Sequence, residues 1–146
     1  MTGPVMTFQA AGVWFAVHVA DLDRVVGSSE ERSRRLWPVP MTCQGYAGLF
    51  DDGQELVPVL DLVATNDHGM DCQLAVVRVN GASLGLRVER TGRVVDDYRL
   101  EEAVNPPSLG QPLPGCAAVT ADETFWLLDL ERLQASIENN LLNRIH

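Results

Sequence analysis

The sequence contains no lysine, so all eleven of its basic side chains are arginines, and twenty acidic side chains leave a formal net charge of −9. Nucleic-acid binding requires a basic surface that displaces counterions from phosphate. Anionic membrane surfaces also attract basic segments. The composition therefore argues against nucleic acid as a partner and against docking on an anionic membrane.

Cysteine is also scarce. Cys43, Cys72 and Cys116 are odd in number and widely spaced, which is not typical of a disulfide framework and indicates reduced thiols. The chain lacks an apolar run of the roughly 18–20 residues that span a bilayer. Its first residues, 1–8, have neither the basic start nor the long apolar stretch of a signal peptide. We expect a soluble, cytoplasmic protein without direct membrane insertion.

The phosphate- and dinucleotide-binding motifs are missing, since the sequence contains neither a P-loop nor a G-x-G-x-x-G. The densest polar cluster consists of Asp67, His68, Asp71 and Cys72. These residue types can bind a divalent metal, but their spacing matches no metal site, and a solvated loop is the favoured interpretation. The cluster is therefore not predicted to be a metal site, and no feature of the sequence selects a catalytic residue.

Short apolar and β-branched runs bounded by turn residues fill most of the 146-residue chain. Asn80-Gly81 is a strong hairpin signal, and Pro58 places its strand at a sheet edge or leaves it paired on one side only. Trp14 and Trp126 are expected in the core. The predicted strands are Val5–Ala10, Val13–Val17, Gly45–Phe50, Gln54–Leu60, Leu74–Val79, Ser83–Arg90, Arg93–Tyr98, Cys116–Thr120 and Thr124–Leu128.

Two segments show helical spacing. Val19 to Val26 has apolar residues at the intervals of one or two helical turns. After Asp129, which can cap a helix, leucines and isoleucines recur every three or four residues to 145. We expect this last stripe to pack inside the molecule, with weak self-association through it as the alternative. The predicted fold class is mainly all-β, built as small barrels or a sandwich.

Four stretches carry a family resemblance: Val5 to Val26, Gly45 through the run Leu56–Leu62, Leu74 to Glu89, and Gly115 to Leu130. In this order they resemble the CheW-like chemotaxis coupling family, as a divergent member. The resemblance implies a single domain over 1–146, formed by two packed five-stranded SH3-like barrels. Subdomain 1 would cover about 13–65, subdomain 2 about 72–128 plus the N-terminal strand, and the C-terminal helix 129–145.

The resemblance also implies a function. Family members are non-enzymatic adaptors without a cofactor. They link a CheA-type histidine kinase to the cytoplasmic tips of chemoreceptors, and this link recruits them to membrane-associated receptor arrays. Carried over by motif, the partner-binding residues would be Leu22, Arg24, Gly45, Leu49, Phe50, Val57 and Pro58.

Two of these positions depart from the family pattern. Phe50 stands where the family has a receptor-facing arginine, and Arg24 stands where it has an acidic residue. An arginine fork and a phenylalanine ring cannot make the same contacts. Together with a longer stretch over 27–36, these departures predict a specialised coupling protein. A ligand-binding sensor that uses the groove between the barrels remains an alternative, and a metal-dependent enzyme is the least favoured one.

Overall fold

The computed structural model describes residues 3–26, 36–37, 46–51, 56–62, 73–102 and 113–136. Within these ranges lie twelve strands, a 3₁₀ turn at Val19–Asp21 and a helix, α1, at 130–136. The strands are β1 Val5–Ala10, β2 Val13–His18, β3 Leu22–Val26, β4 Leu36–Trp37, β5 Tyr46–Asp51, β6 Leu56–Asp61, β7 Gln73–Val79, β8 Ala82–Val88, β9 Arg90–Val95, β10 Arg99–Glu101, β11 Gly115–Val119 and β12 Thr124–Leu128. No helix in the described ranges has the length and hydropathy needed to cross a bilayer.

The strands form two six-stranded sheets. Sheet I has the order β10-β11-β12-β2-β1-β9, and sheet II has the order β3-β7-β8-β6-β5-β4. Neighbouring strands are antiparallel except for β2 with β12 and β6 with β8, which are parallel. The predicted fold class, mainly β in two parts with a C-terminal helix, is confirmed.

Chain connectivity makes sheet I curl. β9 and β10 lie at opposite ends of its strand order, but only residues 96–98 separate them in the sequence. From Val95 to Arg99 the backbone reaches at most ~14 Å, whereas six flat strands would place the outer two ~24 Å apart. The sheet therefore bends its outer strands toward each other, and β9 and β10 together correspond to one bent strand of a five-stranded unit.

The strands of each sheet do not come from the separate ranges 13–65 and 72–128 that were expected for the two subdomains. β2 belongs to sheet I, because it pairs with β1 and lies parallel to β12. β7 and β8 belong to sheet II, because β7 pairs with β3, and β8 lies parallel to β6. Apart from the β1–β2 hairpin, these pairings join segments that are far apart in the sequence, so local pattern did not indicate them.

Three apolar clusters hold the sheets together. The central cluster lies between the two sheets, and each sheet has an inner cluster on its other face. The central cluster includes Phe8, Phe15, Val17, Trp126 and Leu128 of sheet I and Leu60, Ala75, Val77, Leu84 and Leu86 of sheet II. Inner cluster I comprises Val5, Ala16, Val95, Ala118, Phe125 and Leu127, and inner cluster II comprises Phe50, Val57, Val59, Leu74 and Val76.

Tyr98 connects the bent β9–β10 segment to inner cluster I. Its ring makes an edge-on contact with Phe125 at a centroid distance of 5.9 Å. Its hydroxyl donates a hydrogen bond of 2.8 Å to the Gly3 carbonyl oxygen. Burial raises the pKa of Tyr98 above its ordinary value. The same side chain thus anchors both the start of β1 and the turn that curls the sheet.

The helical interpretation of Val19 to Val26 is correct only for its first three residues. Val19–Asp21 form the 3₁₀ turn, and Leu22–Val26 form β3, along which partly buried and exposed residues alternate. This alternation is the two-residue period of a strand. Pairing with β7 decides the conformation, and the β-branched Val25 and Val26 suit a strand.

The turn signals were read correctly. Asn80 and Gly81 have φ of 52° and 82°, as a type I′ hairpin requires, and Ala11 and Gly12 adopt similar values of 53° and 77°. Pro58 lies on β6, an interior strand, but the pairing of β6 with β8 begins only at the next residue. Of the two placements proposed for Pro58, pairing on one side is therefore the one observed.

Asp129 caps α1 as predicted. Its Oδ1 accepts a hydrogen bond of 3.2 Å from the Arg132 N–H, and its carbonyl oxygen accepts the first helical bond, from the Leu133 N–H, at 3.0 Å. Leu130 and Leu133 are buried in the central cluster. The described part of the helix therefore packs inside the molecule, while the stripe beyond residue 136 lies outside the described residues.

The two tryptophans of sheet I have different surroundings. Trp126 is buried in the central cluster, as predicted, and in the described structure its Nε1 has no hydrogen-bond partner. Trp14 is only half-buried, and the Arg90 guanidinium lies 5.7 Å from its ring centroid. Trp14 packs against inner cluster I from its margin and has a cation–π neighbour, so it borders the core without being fully buried in it.

A bulge between β1 and β9 depends on Thr7 and Gly92. The buried Thr7 hydroxyl accepts a hydrogen bond of 3.0 Å from the Arg93 N–H and donates one of 3.2 Å to the Arg93 carbonyl oxygen. A Cβ on Gly92 would overlap Thr7 Oγ1 and lie 2.6 Å from Trp14 Cζ3. Only glycine leaves room for the hydroxyl and the indole at this point.

We expect Gly92→Ala to lower the free energy of unfolding by ~1–3 kcal/mol, because the added methyl overpacks the bulge. Urea denaturation monitored by circular dichroism measures the loss. Gly3→Ala is the matched control, since a Cβ at Gly3 meets nothing within 4 Å. Equal stability of the two variants would contradict the packing described.

The Ala11-Gly12 turn can be improved. Ala11 has positive φ, which costs an L-residue with a Cβ ~1 kcal/mol, whereas asparagine tolerates it. Ala11→Asn is expected to raise the melting temperature. The hydrogen bond from the Ala11 N–H to Glu89 Oε1 is kept, because its donor is a main-chain group.

Asn80→Ala is the reverse exchange in the other hairpin, and it is expected to lower the melting temperature. A shift of the same sign in both variants would refute this account.

Candidate functional site

One register row across sheet II contains three of the residues suggested by the family resemblance. Leu22 on β3 pairs with Val77, which pairs with Leu84 on β8. Continuing the β6–β8 register by one residue places Pro58 beside Leu84, and Leu49 on β5 is the partner of Pro58. Val77 and Leu84 belong to the central cluster and Leu22 packs against it. The side chains of Leu22 and Pro58 therefore lie on the face of sheet II that sheet I covers.

This face is buried at its centre and exposed at two margins. Val25 of β3, which pairs with Ala75 of the central cluster, is 36% exposed, and Leu56 of β6 is 56% exposed. We define the β3 margin as Leu22 and Val25, and the β6 margin as Leu56 and Pro58. Three strand spacings, ~14 Å, separate the margins. Each is an apolar strip that continues the core outward.

Phe50 and Val57 point away from this face. They are Cα partners in the β5–β6 ladder and both belong to inner cluster II, with exposures of 2% and 0%. Residues directly opposite in a ladder share a face, and here that face is the interior of sheet II. The structure therefore removes these two side chains from the candidate contact surface. Phe50 fills a core position and does not replace an exposed arginine in function.

Arg24 is partly exposed on β3 and forms an ion pair with the adjacent Asp23. In the ladder it is the partner of Val76, whereas Leu22 is the partner of Val77, because the strand is irregular between them. Arg24 and Leu22 therefore do not occupy one row. Gly45 lies outside the described residues.

A cavity of about 470 Å³ opens between the sheets near α1. Its walls come from the end of β2 and the 3₁₀ turn, from the β7–β8 hairpin, from the start of β11 and from the segment joining β12 to α1. The lining residues are His18, Asp21, Arg78, Val79, Asn80, Gly115, Cys116, Leu127, Leu128, Asp129, Leu130 and Glu131. The groove between subdomains that the sensor alternative requires is thus present in the structure.

The polar cluster Asp67, His68, Asp71 and Cys72 lies outside the described residues. Among the residues that are described, no group of three or more His, Cys, Asp or Glu is close enough to hold a metal ion. The described cysteine, Cys116, lies at the cavity wall and its Sγ contacts the Glu101 carbonyl oxygen at 3.4 Å.

Sequence reasoning offered a groove between the barrels but did not identify the residues that line the cavity, and it missed both exposed margin residues, Val25 and Leu56. A signal for Leu56 was present: Leu56, Pro58 and Leu60 alternate with Val57 and Val59, so one set must face away from inner cluster II. No comparable signal indicated the lining of the cavity, because its walls come from four separate parts of the chain.

Comparison with known proteins finds a likeness among solved structures. No protein-family model matches the sequence, and no curated protein matches it. The crystal structure of the scaffolding protein TtCheW from Thermoanaerobacter tengcongensis is similar, with a TM-score of 0.67 and 20% identity over 88% of this chain and 90% of that one. The chain therefore has a CheW-like fold, as the sequence motifs predicted.

The inward position of Phe50 has a direct test. We expect Phe50→Arg to unfold the protein or to cost several kcal/mol, because it buries an unpaired charge in inner cluster II. Phe50→Leu should cost only ~1–2 kcal/mol, as a smaller apolar replacement. Thermal unfolding measures both. A stable Phe50→Arg variant would show that residue 50 faces solvent.

Proposed function

We propose that this chain is a non-enzymatic cytoplasmic adaptor that couples a CheA-type histidine kinase to chemoreceptors, in a specialised form. The observation that carries the proposal is the likeness of the fold, over nearly the whole chain, to a scaffolding protein. The sequence motifs of the family, above all the run Leu56–Leu62, support it independently.

The two margins support an adaptor because an adaptor must hold two proteins at once. The β3 margin and the β6 margin are apolar, partly exposed and ~14 Å apart, with covered strands between them. A partner on one margin leaves the other accessible. Exposed apolar strips on a soluble domain are typical of protein interfaces, and burying them would extend the central cluster.

The charge of the chain suits partners with basic surfaces. A net charge of −9 steers association toward positive patches and disfavours contact between copies of the chain. The proposed contact residues are Leu22, Val25, Leu56 and Pro58, with Arg24, Gly45 and Leu49 retained from the family motifs.

Two residues, Phe50 and Arg24, depart from the family pattern. Because Phe50 is buried, the proposed specialisation depends on Arg24 alone. Arg24 carries a positive charge where the family has an acidic one, and its ion pair with Asp23 is on the surface. A partner matched to an acidic residue would meet a reversed local charge. We therefore expect a partner surface with an acidic residue opposite this position.

Reversing the polarity of each margin tests the proposal. Leu56→Glu and Val25→Glu should each weaken binding of one partner by at least about tenfold, since a buried contact with an unpaired carboxylate is strongly disfavoured. Isothermal titration calorimetry measures the affinities. The purified protein is titrated separately with the histidine kinase and with a chemoreceptor tip of the same organism.

Val94→Glu is the matched control, because Val94 is 53% exposed but lies on β9 of sheet I, outside both margins. It should bind both partners normally. Loss of both partners in one margin variant would refute the two-margin arrangement. If the unaltered protein binds neither the kinase nor the receptor tip, the adaptor function itself is refuted.

A further inference from the structure

The cavity between the sheets has the size and position of a small-molecule site. Its volume of about 470 Å³ falls within the ~300–1,000 Å³ typical of such sites. It lies at the contact of the two sheets and is separate from the β3 and β6 margins, since none of the margin residues lines it.

One part of the cavity wall is apolar. Val79, Leu128 and Leu130 contribute to it, and all three belong to the central cluster. Because their side chains are packed in the core, this part of the wall is preformed. It can cover the methylene groups of a ligand and remove them from water.

The rest of the wall carries an excess of negative charge. Among the described residues that line the cavity, the three carboxylates of Asp21, Asp129 and Glu131 outnumber the one guanidinium, that of Arg78, which gives a formal net charge of −2 when His18 is counted as neutral. In the described structure Asp21 and Glu131 have no ion pair and no hydrogen bond from another residue, whereas Asp129 caps α1. Two carboxylates at the cavity are thus without a described partner.

We propose that this cavity binds a linear aliphatic diamine or polyamine. Such a ligand carries two or more ammonium groups joined by methylenes, so it matches both the net charge of −2 and the apolar wall. Ammonium groups can form charge-assisted hydrogen bonds with Asp21 and Glu131. An anion would be repelled by the excess carboxylates, and a bare metal ion would leave the apolar wall in contact with water.

Calorimetric titration with putrescine and with spermidine at 150 mM salt tests the proposal. We expect saturable binding with one ligand per chain and a rise in melting temperature with ligand concentration. 1,4-Butanediol, which has the same carbon stem as putrescine without its charge, should not bind. Equal heats from Mg²⁺ would show that charge alone explains the signal and would overturn the proposal.

Single charge removals locate the site. Asp21→Asn and Glu131→Gln should each weaken binding by about tenfold or more, as expected for loss of a hydrogen bond between two charged groups. Asp97→Asn is the matched control, because it removes the same charge from an exposed residue outside the cavity. Circular dichroism confirms that each variant is folded.

An equal loss in Asp97→Asn would mean general attraction of polycations to an acidic chain, and would overturn the site. So would the absence of saturable binding by the unaltered protein. The inference is independent of the adaptor role, because kinase and receptor binding are measured at the margins and polyamine binding at the cavity.

Discussion

The contact between the two sheets is the constraint on which the rest of the structure depends. The core strands contribute alternate side chains to the central cluster and to an inner cluster: on β2, Phe15 and Val17 face the other sheet while Ala16 faces inward. Sheet II repeats this on β6, where Leu60 and Val59 divide in the same way. Because both faces of these strands are occupied, a shift of one residue in register would exchange the two sets. The bulge at Thr7 and the curl around Tyr98 are features that let sheet I keep this register while it bends.

The candidate contact surface is a continuation of that same packing. Where sheet I no longer covers sheet II, the apolar face emerges at Val25 on one side and at Leu56 on the other. Apolar side chains at these positions follow from the strand alternation that builds the core, and their exposure leaves free energy of burial available for a partner. The cavity has the opposite origin. It arises where the β7–β8 hairpin, the 3₁₀ turn and the start of α1 do not fill the space between the sheets, and where carboxylates gather.

Burial also changes how the departures from the family pattern are understood. In a linear comparison, Phe50 suggested a surface arginine replaced by an aromatic ring. In the fold, Phe50 is a core residue that packs with Val57 and Val59, so the exchange concerns the filling of inner cluster II. Arg24 keeps its place at an exposed edge strand and is paired with Asp23. Of the two departures, only Arg24 has a partly exposed side chain, so the proposed specialisation depends on it.

Local chemistry in the sequence determined the elements whose conformation depends on near neighbours. The Asn80-Gly81 hairpin, the Asp129 cap and most strands were predictable because φ preference, capping and two-residue alternation operate within a few residues. The motif order also predicted the CheW-like fold. Tertiary structure alone decided which strands share a sheet, since Phe15 meets Trp126 across more than half of the chain. It also made Leu22–Val26 a strand, turned Phe50 inward, and brought four distant segments together around the cavity. Each of these depends on pairing or packing between residues far apart in sequence, which no local pattern records.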